Sequence, residues 1–273
     1  MKKPNFFLVG ASKAGTTSLA QALNQHPAIF ITDPKEPNFF NRFNETDQIP
    51  QSELNDYMKL FQTAGSKSVW GDASVSYLAS RGAAKQINNF NPSSKILISL
   101  RNPMQRVRSL YEMYVRLGLN QSFDDVTKND PWLVKQCLYY EQVKRYVDIF
   151  PRHQILILEF SNLNNQWDNT IKSVHNFLEL EHIAQKKPII RNTGGIPKHP
   201  AFNILTNRKL VKIAKRIIPK RLHAITDKKV KDLAFKKSVI PKKDALNLLE
   251  LFLEDTNRLD SLLKTQFSRI WFT

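Results

Sequence analysis

Short apolar runs alternate with amphipathic stretches along the first 160 residues of the chain. Five runs have the length of strands: Phe6–Val9, Ile29–Thr32, Val69–Gly71, Lys95–Leu100 and Gln154–Glu159. The stretches between them predict helices at about 16–25, 52–63, 81–90, 103–117 and 135–149. This alternation favours a parallel sheet with helices on both faces, whose ligands bind beyond the carboxyl ends of the strands.

Beyond residue 160 the pattern is mostly helical, apart from a Gly/Pro-rich loop at Arg191–Pro200. The last run, Ala245–Leu263, carries leucines at near-helical spacing. No internal repeat, low-complexity tract or linker divides the chain. We therefore predict an α/β fold in which residues 1–273 form a single domain, with a central parallel β-sheet flanked by helices and a mostly helical C-terminal part.

The composition limits the kinds of cross-link and metal site that the protein can have and indicates its cellular location. Its 273 residues are 41% hydrophobic, and the single cysteine, Cys137, excludes an internal disulfide framework and a metal site made of cysteines. The first apolar run ends at Val9 and is too short for a signal peptide or a membrane span. We therefore expect a cytoplasmic protein.

Positive charge is concentrated in one segment. The chain has a net charge of +17, and Arg208–Lys243 holds 14 Lys and Arg against two Asp. Such a segment attracts nucleic acid, an anionic membrane or an acidic polymer, and it is also compatible with a solvated basic surface. Charge alone does not choose among these.

A glycine-rich turn follows the first strand. Gly10, Gly15 and Thr17 fit the nucleotide-triphosphate loop G-x-x-x-x-G-K-[ST], but Thr16 occupies the lysine position and the loop lysine is Lys13. The loop still directs backbone amides and a helix N-terminus at an anion. Because the cation approaches from another side, we predict an anion other than a β/γ-phosphate.

The same loop is rich in groups that bind phosphate. The amides of Ala14 to Thr17 and the hydroxyls of Thr16, Thr17 and Ser18 can hold a 5′-phosphate, while Lys13 can contact an oxygen that bridges two acidic groups. The alternative is a turn that only connects strand to helix.

Two further motifs follow other strands. Arg101, after Lys95–Leu100, can bind a phosphate with two hydrogen bonds, and Ser109 can add a hydroxyl two turns later; an ion-pair anchor is the alternative role for the arginine. Glu36 lies in the loop Lys35–Phe40 and could take a proton from an attacking hydroxyl. A surface loop over packed phenylalanines is the alternative for that segment.

Together these residues resemble the sulfotransferases that use 3′-phosphoadenosine 5′-phosphosulfate. Lys13–Ser18 is similar to the family's 5′-phosphosulfate loop, K-x-G-T-T-x. Arg101–Tyr111 matches the 3′-phosphate motif R-x-P-x-x-R-x-x-S-x-Y at every fixed position. The segment Lys35–Phe40 is similar to the acidic motif of the heparan-sulfate-type and bacterial branch. The resemblance implies that Glu36 is the catalytic base and that Lys13 acts at the bridging oxygen.

The likeness extends to two less specific segments. Gly71–Tyr77 resembles the segment that lines the acceptor site, so Asp72, Ser74 and Tyr77 are expected at the acceptor. The loop that ends at Lys198 sits where the family closes over the nucleotide, which makes Arg191 and Lys198 candidate phosphate contacts.

The implied reaction is in-line transfer of a sulfuryl group to a hydroxyl of a carbohydrate, glycolipid or small molecule, with 3′,5′-ADP as product and no metal. His26, which follows the first helix, is predicted to be a hydrogen-bonded structural residue. The basic segment would steer an anionic acceptor or dock the enzyme on the inner face of a membrane, and nucleic acid is not expected as a partner. Two alternatives stay open: a nucleotide kinase or NTPase, with Asp72 as its Mg²⁺ partner, and a basic nucleic-acid or membrane-binding module.

Overall fold

The computed structural model describes residues 2–128, 131–186, 195–198 and 235–273. The chain divides into two compact units. Unit 1 comprises Met1–Asn102, Leu138–Ile189 and Leu253–Thr273, and unit 2 comprises Pro103–Cys137 and Ile190–Phe252. That all 273 residues form one domain stays a prediction.

Unit 1 contains a parallel sheet of five strands in the order β2-β3-β1-β4-β5. Each strand lies within one residue of a predicted run, and the strands are β1 (Phe6–Gly10), β2 (Ile29–Ile31), β3 (Val69–Asp72), β4 (Lys95–Leu100) and β5 (Ile155–Glu159). Every pair in this sheet is parallel, so the five carboxyl ends share one edge. The predicted fold class is confirmed.

The sheet is apolar on both faces because helices cover both. Alternate residues of a strand point to opposite faces, and Phe7 and Val9 join one buried cluster while Phe6 and Leu8 join another. The first cluster includes side chains from the helices α2 (Gln51–Lys59), α3 (Ala83–Phe90) and α7 (Tyr140–Ile149). The second includes side chains from α1 (Thr16–Leu23) and α9 (Trp167–Phe177). This double cover explains why the central strands read as continuous apolar runs.

The remaining helices are mostly short. They are α4 (Pro103–Arg116), α5 (Phe123–Lys128), α6 (Trp132–Cys137), α8 (Phe160–Asn165), α10 (Lys242–Leu263) and α11 (Phe267–Phe272). A two-residue strand, β6 (Ile196–Pro197), pairs antiparallel with β7 (Phe235–Lys236). Apart from this short strand pair, the described portion of the C-terminal part is helical, which agrees with the predicted, mostly helical C-terminal part.

One predicted helix is wrong. The sequence pattern favours a continuous helix over 135–149, but α6 ends at Cys137 and α7 begins at Tyr140. The reason is a carboxylate distant in sequence: Asp255 accepts hydrogen bonds from Tyr139 N at 2.6 Å and from Tyr140 N at 3.2 Å. These amides start a new helix, because Asp255 replaces the carbonyl partners that the first turn lacks.

Membrane-spanning helices and clusters of metal ligands are both absent from the described ranges. No helix among them is both long and apolar enough to cross a bilayer. No group of three or more His, Cys, Asp or Glu side chains in those ranges could hold a metal ion. Residues 208–234 of the basic segment lie outside the described residues.

Candidate functional site

The turn after β1 is the candidate phosphate loop, and β4 holds its backbone. Ala11 N donates to Ser99 O at 2.7 Å, and Ser99 Oγ donates to Ala14 O at 2.7 Å. Helix α1 begins at Thr16, directly after the turn. The amides of its first turn have no carbonyl partner within the helix, so this end of α1 presents donors at the carboxyl edge of the sheet.

Gly15 is required at its position for two reasons. Its φ of 78° and ψ of 6° are left-handed, which side chains disfavour. An added Cβ would also lie 2.9 Å from Phe160 Cε2 and 3.0 Å from Leu163 Cδ1, both on α8. The loop backbone therefore lies directly against the helix that follows β5.

The predicted loop ligands lie together at this edge. Thr16 is buried, Lys13 and Ser18 are half-buried, and Thr17 is exposed. Ala14 N donates to Ala11 O at 3.2 Å, so this amide is engaged inside the turn. The Ala14 amide is therefore the least favourable of the loop groups for contact with an anion. Anion contact stays a prediction for all six residues: Lys13, Ala14, Gly15, Thr16, Thr17 and Ser18.

Arg101 directly follows β4 and reaches the same loop. Its Nη1 donates to Lys13 O at 3.1 Å, and its Cζ lies 4.7 Å from the centre of the Phe160 ring. Its main chain is held by Tyr139, whose hydroxyl donates to Arg101 O at 2.8 Å. The structure thus brings Arg101, the first residue of the second sequence motif, to the phosphate loop.

Phe160 is the residue that sequence reasoning missed. Its ring touches the position where a Gly15 side chain would begin and also lies under the Arg101 guanidinium. The signal that could have identified it is its place as the first residue after β5, at the edge where the other motifs lie. An aromatic ring there excludes water from one side of both motifs and attracts the cation.

Glu36 lies in the loop after β2, two strands away from β1 in the sheet order. Its Oε1 forms an ion pair with Lys35 Nζ at 2.7 Å, and Lys35 Nζ also donates to Ala73 O at 2.8 Å. The Glu36 side chain keeps 38% of its surface exposed. A carboxylate held by a neighbouring lysine at the rim of the sheet is placed to meet a substrate that approaches from solvent.

Asp72, Ser74 and Tyr77 are fully buried. Asp72 Oδ1 accepts from Ser74 Oγ at 2.6 Å, and Asp72 Oδ2 accepts from Tyr77 Oη at 2.7 Å and from Tyr57 Oη at 3.0 Å. Burial raises the pKa of Asp72 to about 6, although these hydrogen bonds favour its ionised form. Acceptor contact by these side chains stays a prediction, and their burial does not favour it.

The second half of the 3′-phosphate motif lies in unit 2. Ser109 is half-buried on α4, and the same helix carries Glu112, a buried carboxylate that accepts from Gly195 N at 2.7 Å and from Ser238 N at 3.0 Å. Arg116 donates to Gly195 O. The end of the closing loop is therefore held by α4.

The two candidate phosphate contacts in the closing loop stay predictions. Lys198 is exposed, and Arg191 lies outside the described residues.

His26 has the structural role that was predicted. It is buried, its Nδ1 accepts from Ala28 N at 3.1 Å, and its Nε2 lies 3.1 Å from Glu181 O. Both ring nitrogens are engaged, so the histidine fixes the turn that leads into β2.

Comparison with known proteins identifies the family of this chain. A family model described as "Sulfotransferase domain" matches residues 3–193, which include the phosphate loop, Glu36, Arg101 and Ser109. The chain belongs to the sulfotransferase domain family. The structure is similar to the crystal structure of a sulfotransferase from Alicyclobacillus acidocaldarius, with a TM-score of 0.69 and 26% sequence identity. The similarity covers 98% of this chain and 100% of the Alicyclobacillus chain.

The curated relatives that match this chain are longer than it is. The chain is 29% identical over 197 residues to bifunctional heparan sulfate N-deacetylase/N-sulfotransferase 3 of Mus musculus. This alignment covers 64% of the chain and 22% of the mouse protein. The chain is 25% identical over 206 residues to heparan sulfate glucosamine 3-O-sulfotransferase 6 of Homo sapiens, which covers 71% of this chain and 58% of the relative. The match thus spans about a fifth of the first protein and under two thirds of the second.

Proposed function

We propose that the protein transfers the sulfuryl group of 3′-phosphoadenosine 5′-phosphosulfate to a hydroxyl or amine of a carbohydrate, with release of 3′,5′-ADP. The observation that carries the proposal is the convergence of Gly15 and Arg101 on the Phe160 ring, with Arg101 also bonded to Lys13 O. A helix N-terminus and a guanidinium beside the same loop suit a nucleotide with two separate phosphate groups.

The acceptor class rests on the relatives. Those named above act, by their names, on heparan sulfate, one at nitrogen and the other at a 3-O position. Glycolipids and small hydroxyl compounds belong in the same screen. A panel of desulfated heparan oligosaccharides, glycolipids and small alcohols, incubated with a sulfur-labelled donor, identifies the acceptor by the product that carries label.

The chemistry follows from groups of this chain. The bound donor supplies a sulfuryl group already joined to a good leaving phosphate. Glu36 accepts the proton of the attacking hydroxyl or amine as the new bond to sulfur forms, and the bond between sulfur and the bridging oxygen breaks. Lys13 and the first-turn amides of α1 stabilise the negative charge that develops on the departing phosphate. As in phosphoryl transfer, positioning and charge stabilisation supply most of the acceleration.

The nucleotide gives a direct test of the proposed donor. We expect 3′,5′-ADP at a hundred times its Kd to stabilise the protein by about 2.7 kcal/mol, or roughly 5–10 °C in Tm. ATP with Mg²⁺ should stabilise it much less, because Thr16 replaces the lysine that a triphosphate loop needs and Asp72 is buried among four hydrogen-bond donors. The reverse order of stabilisation would favour a nucleotide kinase or NTPase.

Gly15→Ala tests whether the loop itself holds the nucleotide. The added methyl group meets α8 at 2.9–3.0 Å, and the left-handed backbone adds about 1–2 kcal/mol of strain. We expect this variant to lose the stabilisation by 3′,5′-ADP. Gly65→Ala is the control, since Gly65 also has a positive φ, of 58°, but an added Cβ meets nothing within 4 Å. The Gly65→Ala variant should have a lower Tm than the wild type but should still be stabilised by 3′,5′-ADP.

Two further parts of the proposal concern location. We propose that the protein is cytoplasmic, and that the basic segment Arg208–Lys243 contacts an anionic membrane or polymer. Neutral and anionic vesicles, compared in a sedimentation assay at two salt concentrations, test the second part. Equal binding to both kinds of vesicle would count against it.

A further inference from the structure

We infer that Asp72 and Tyr77 are positioning residues that hold the Glu36 loop in register with the phosphate loop. The inference rests on the proposed function and deepens it, because it assigns the placement of the base to a buried network. It also gives these two residues a role that does not require them to touch the acceptor.

Asp72 orients the hydroxyl groups around it. Its carboxylate accepts four hydrogen bonds: from Ser74 N at 3.0 Å, Ser74 Oγ at 2.6 Å, Tyr77 Oη at 2.7 Å and Tyr57 Oη at 3.0 Å. An ionised carboxylate only accepts hydrogen bonds, so each of these hydroxyl groups donates its hydrogen to Asp72. Their oxygen lone pairs are then directed elsewhere.

Two of those oxygens receive the backbone of the Glu36 loop. Ser74 Oγ accepts from Asn38 N at 2.9 Å, while Tyr77 Oη accepts from Phe39 N at 2.9 Å and from Phe40 N at 3.3 Å. Three successive amides that follow Glu36 are thus held by hydroxyls whose direction Asp72 sets. Buried chains of this kind polarise one another and specify one geometry.

The segment 72–78, which carries these hydroxyls, also contacts the end of β1, directly before the phosphate loop. Leu78 N donates to Val9 O at 2.8 Å, and a Cβ on Gly10 would lie 2.7 Å from Leu78 Cβ. Residues 72–78 therefore touch both the end of β1 and the loop after β2. A shift of this segment would change the position of Glu36 relative to the phosphate loop.

Two tyrosines provide a matched pair of variants. Tyr57 and Tyr77 both donate a hydroxyl to Asp72 Oδ2 and are both buried. Within the described part of the chain, the Tyr77 oxygen also accepts the loop amides, whereas the Tyr57 oxygen bonds only to Asp72. Tyr77→Phe and Tyr57→Phe therefore remove the same group from the same pocket, but only the first releases the loop.

Amide hydrogen exchange and kinetics distinguish the two variants. We expect Tm to fall in both variants and to fall further in Tyr77→Phe, because the Tyr77 hydroxyl makes three hydrogen bonds and the Tyr57 hydroxyl makes one. Exchange at the Phe39 and Phe40 amides should be accelerated about tenfold or more in Tyr77→Phe relative to Tyr57→Phe. We also expect kcat to fall further in Tyr77→Phe, with the KM for donor and the affinity for 3′,5′-ADP unchanged. Equal exchange rates in the two variants, or losses of kcat that follow Tm alone, would overturn the inference.

The outcome is separable from that of the proposed function. A wild-type protein that neither binds 3′,5′-ADP nor transfers a sulfuryl group defeats the proposed function. The exchange rates need no acceptor, and they decide in that case too whether Tyr77 holds the loop.

Discussion

Glu36→Gln is expected to lower sulfuryl transfer by about 10²–10⁴-fold, the usual contribution of a positioned general base. Glutamine keeps the size and the hydrogen-bonding oxygen of the side chain but does not take up the acceptor proton. The loop amides are bonded to Ser74 and Tyr77, so the substitution leaves the loop in place. The affinity for 3′,5′-ADP should therefore be unchanged, and the loss should appear in kcat.

Glu53→Gln is the matched control for this variant. Glu53 pairs with Arg42 as Glu36 pairs with Lys35, and the two glutamate side chains are 34% and 38% exposed. The same chemical change at similar exposure should leave transfer near the wild-type rate. Comparable kcat values for the two variants, measured with labelled donor, would remove Glu36 from the role of base.

Arg101→Ala is expected to weaken binding of 3′,5′-ADP by about 30- to 5000-fold, because truncating one partner of a hydrogen-bonded charge pair costs about 2–5 kcal/mol. The informative quantity is the ratio of affinities for nucleotides with and without the 3′-phosphate. Calorimetric titration with 3′,5′-ADP and with 5′-AMP gives this ratio for each protein. It should fall toward one in the variant, since 5′-AMP lacks the 3′-phosphate that Arg101 is proposed to bind.

Loss of the Arg101 side chain also removes its hydrogen bond to Lys13 O and its contact with Phe160. Both nucleotides would suffer equally from such a disturbance of the loop, whereas the ratio reports the 3′-phosphate alone. Arg152→Ala controls for the loss of an arginine, because Arg152 Nη1 likewise donates to a backbone carbonyl, that of Ile155 at 2.6 Å. An affinity ratio in Arg101→Ala equal to that of the wild type would contradict the assignment.

The strands were predictable from sequence because each buried strand is encoded by a short run of apolar residues. A strand covered on both faces is largely apolar, and the polar residues of the five runs, such as Lys95, Ser99 and Glu159, lie near the ends of the runs. Each run predicts the bounds of its strand to within one residue. The break before α7 was not predictable. Residues 135–149 have an amphipathic pattern, and the group that interrupts it, Asp255, is 116 residues from Tyr139.

Some residues of the candidate site were also predictable from the sequence, and one was not. Lys13, Gly15, Arg101 and Glu36 were recognisable because glycine, cation and carboxylate chemistry at fixed spacing is written in short segments. Phe160 was not recognised, since one phenylalanine after a strand carries no chemical signature of its own. Its role depends on β4 and β5 lying side by side, which brings it under Arg101 and against Gly15.

By itself, the sequence determined the sulfotransferase motifs and the parallel α/β arrangement, because both depend on residue types at short, regular spacing. Only the tertiary structure decided that Asp72, Ser74 and Tyr77 are buried and that the hydroxyls of Ser74 and Tyr77 accept backbone amides of the Glu36 loop. The physical reason is that burial and hydrogen-bond direction depend on segments far apart in the chain. The Tyr57 hydroxyl on α2, which meets Asp72 at the end of β3, is one such contribution.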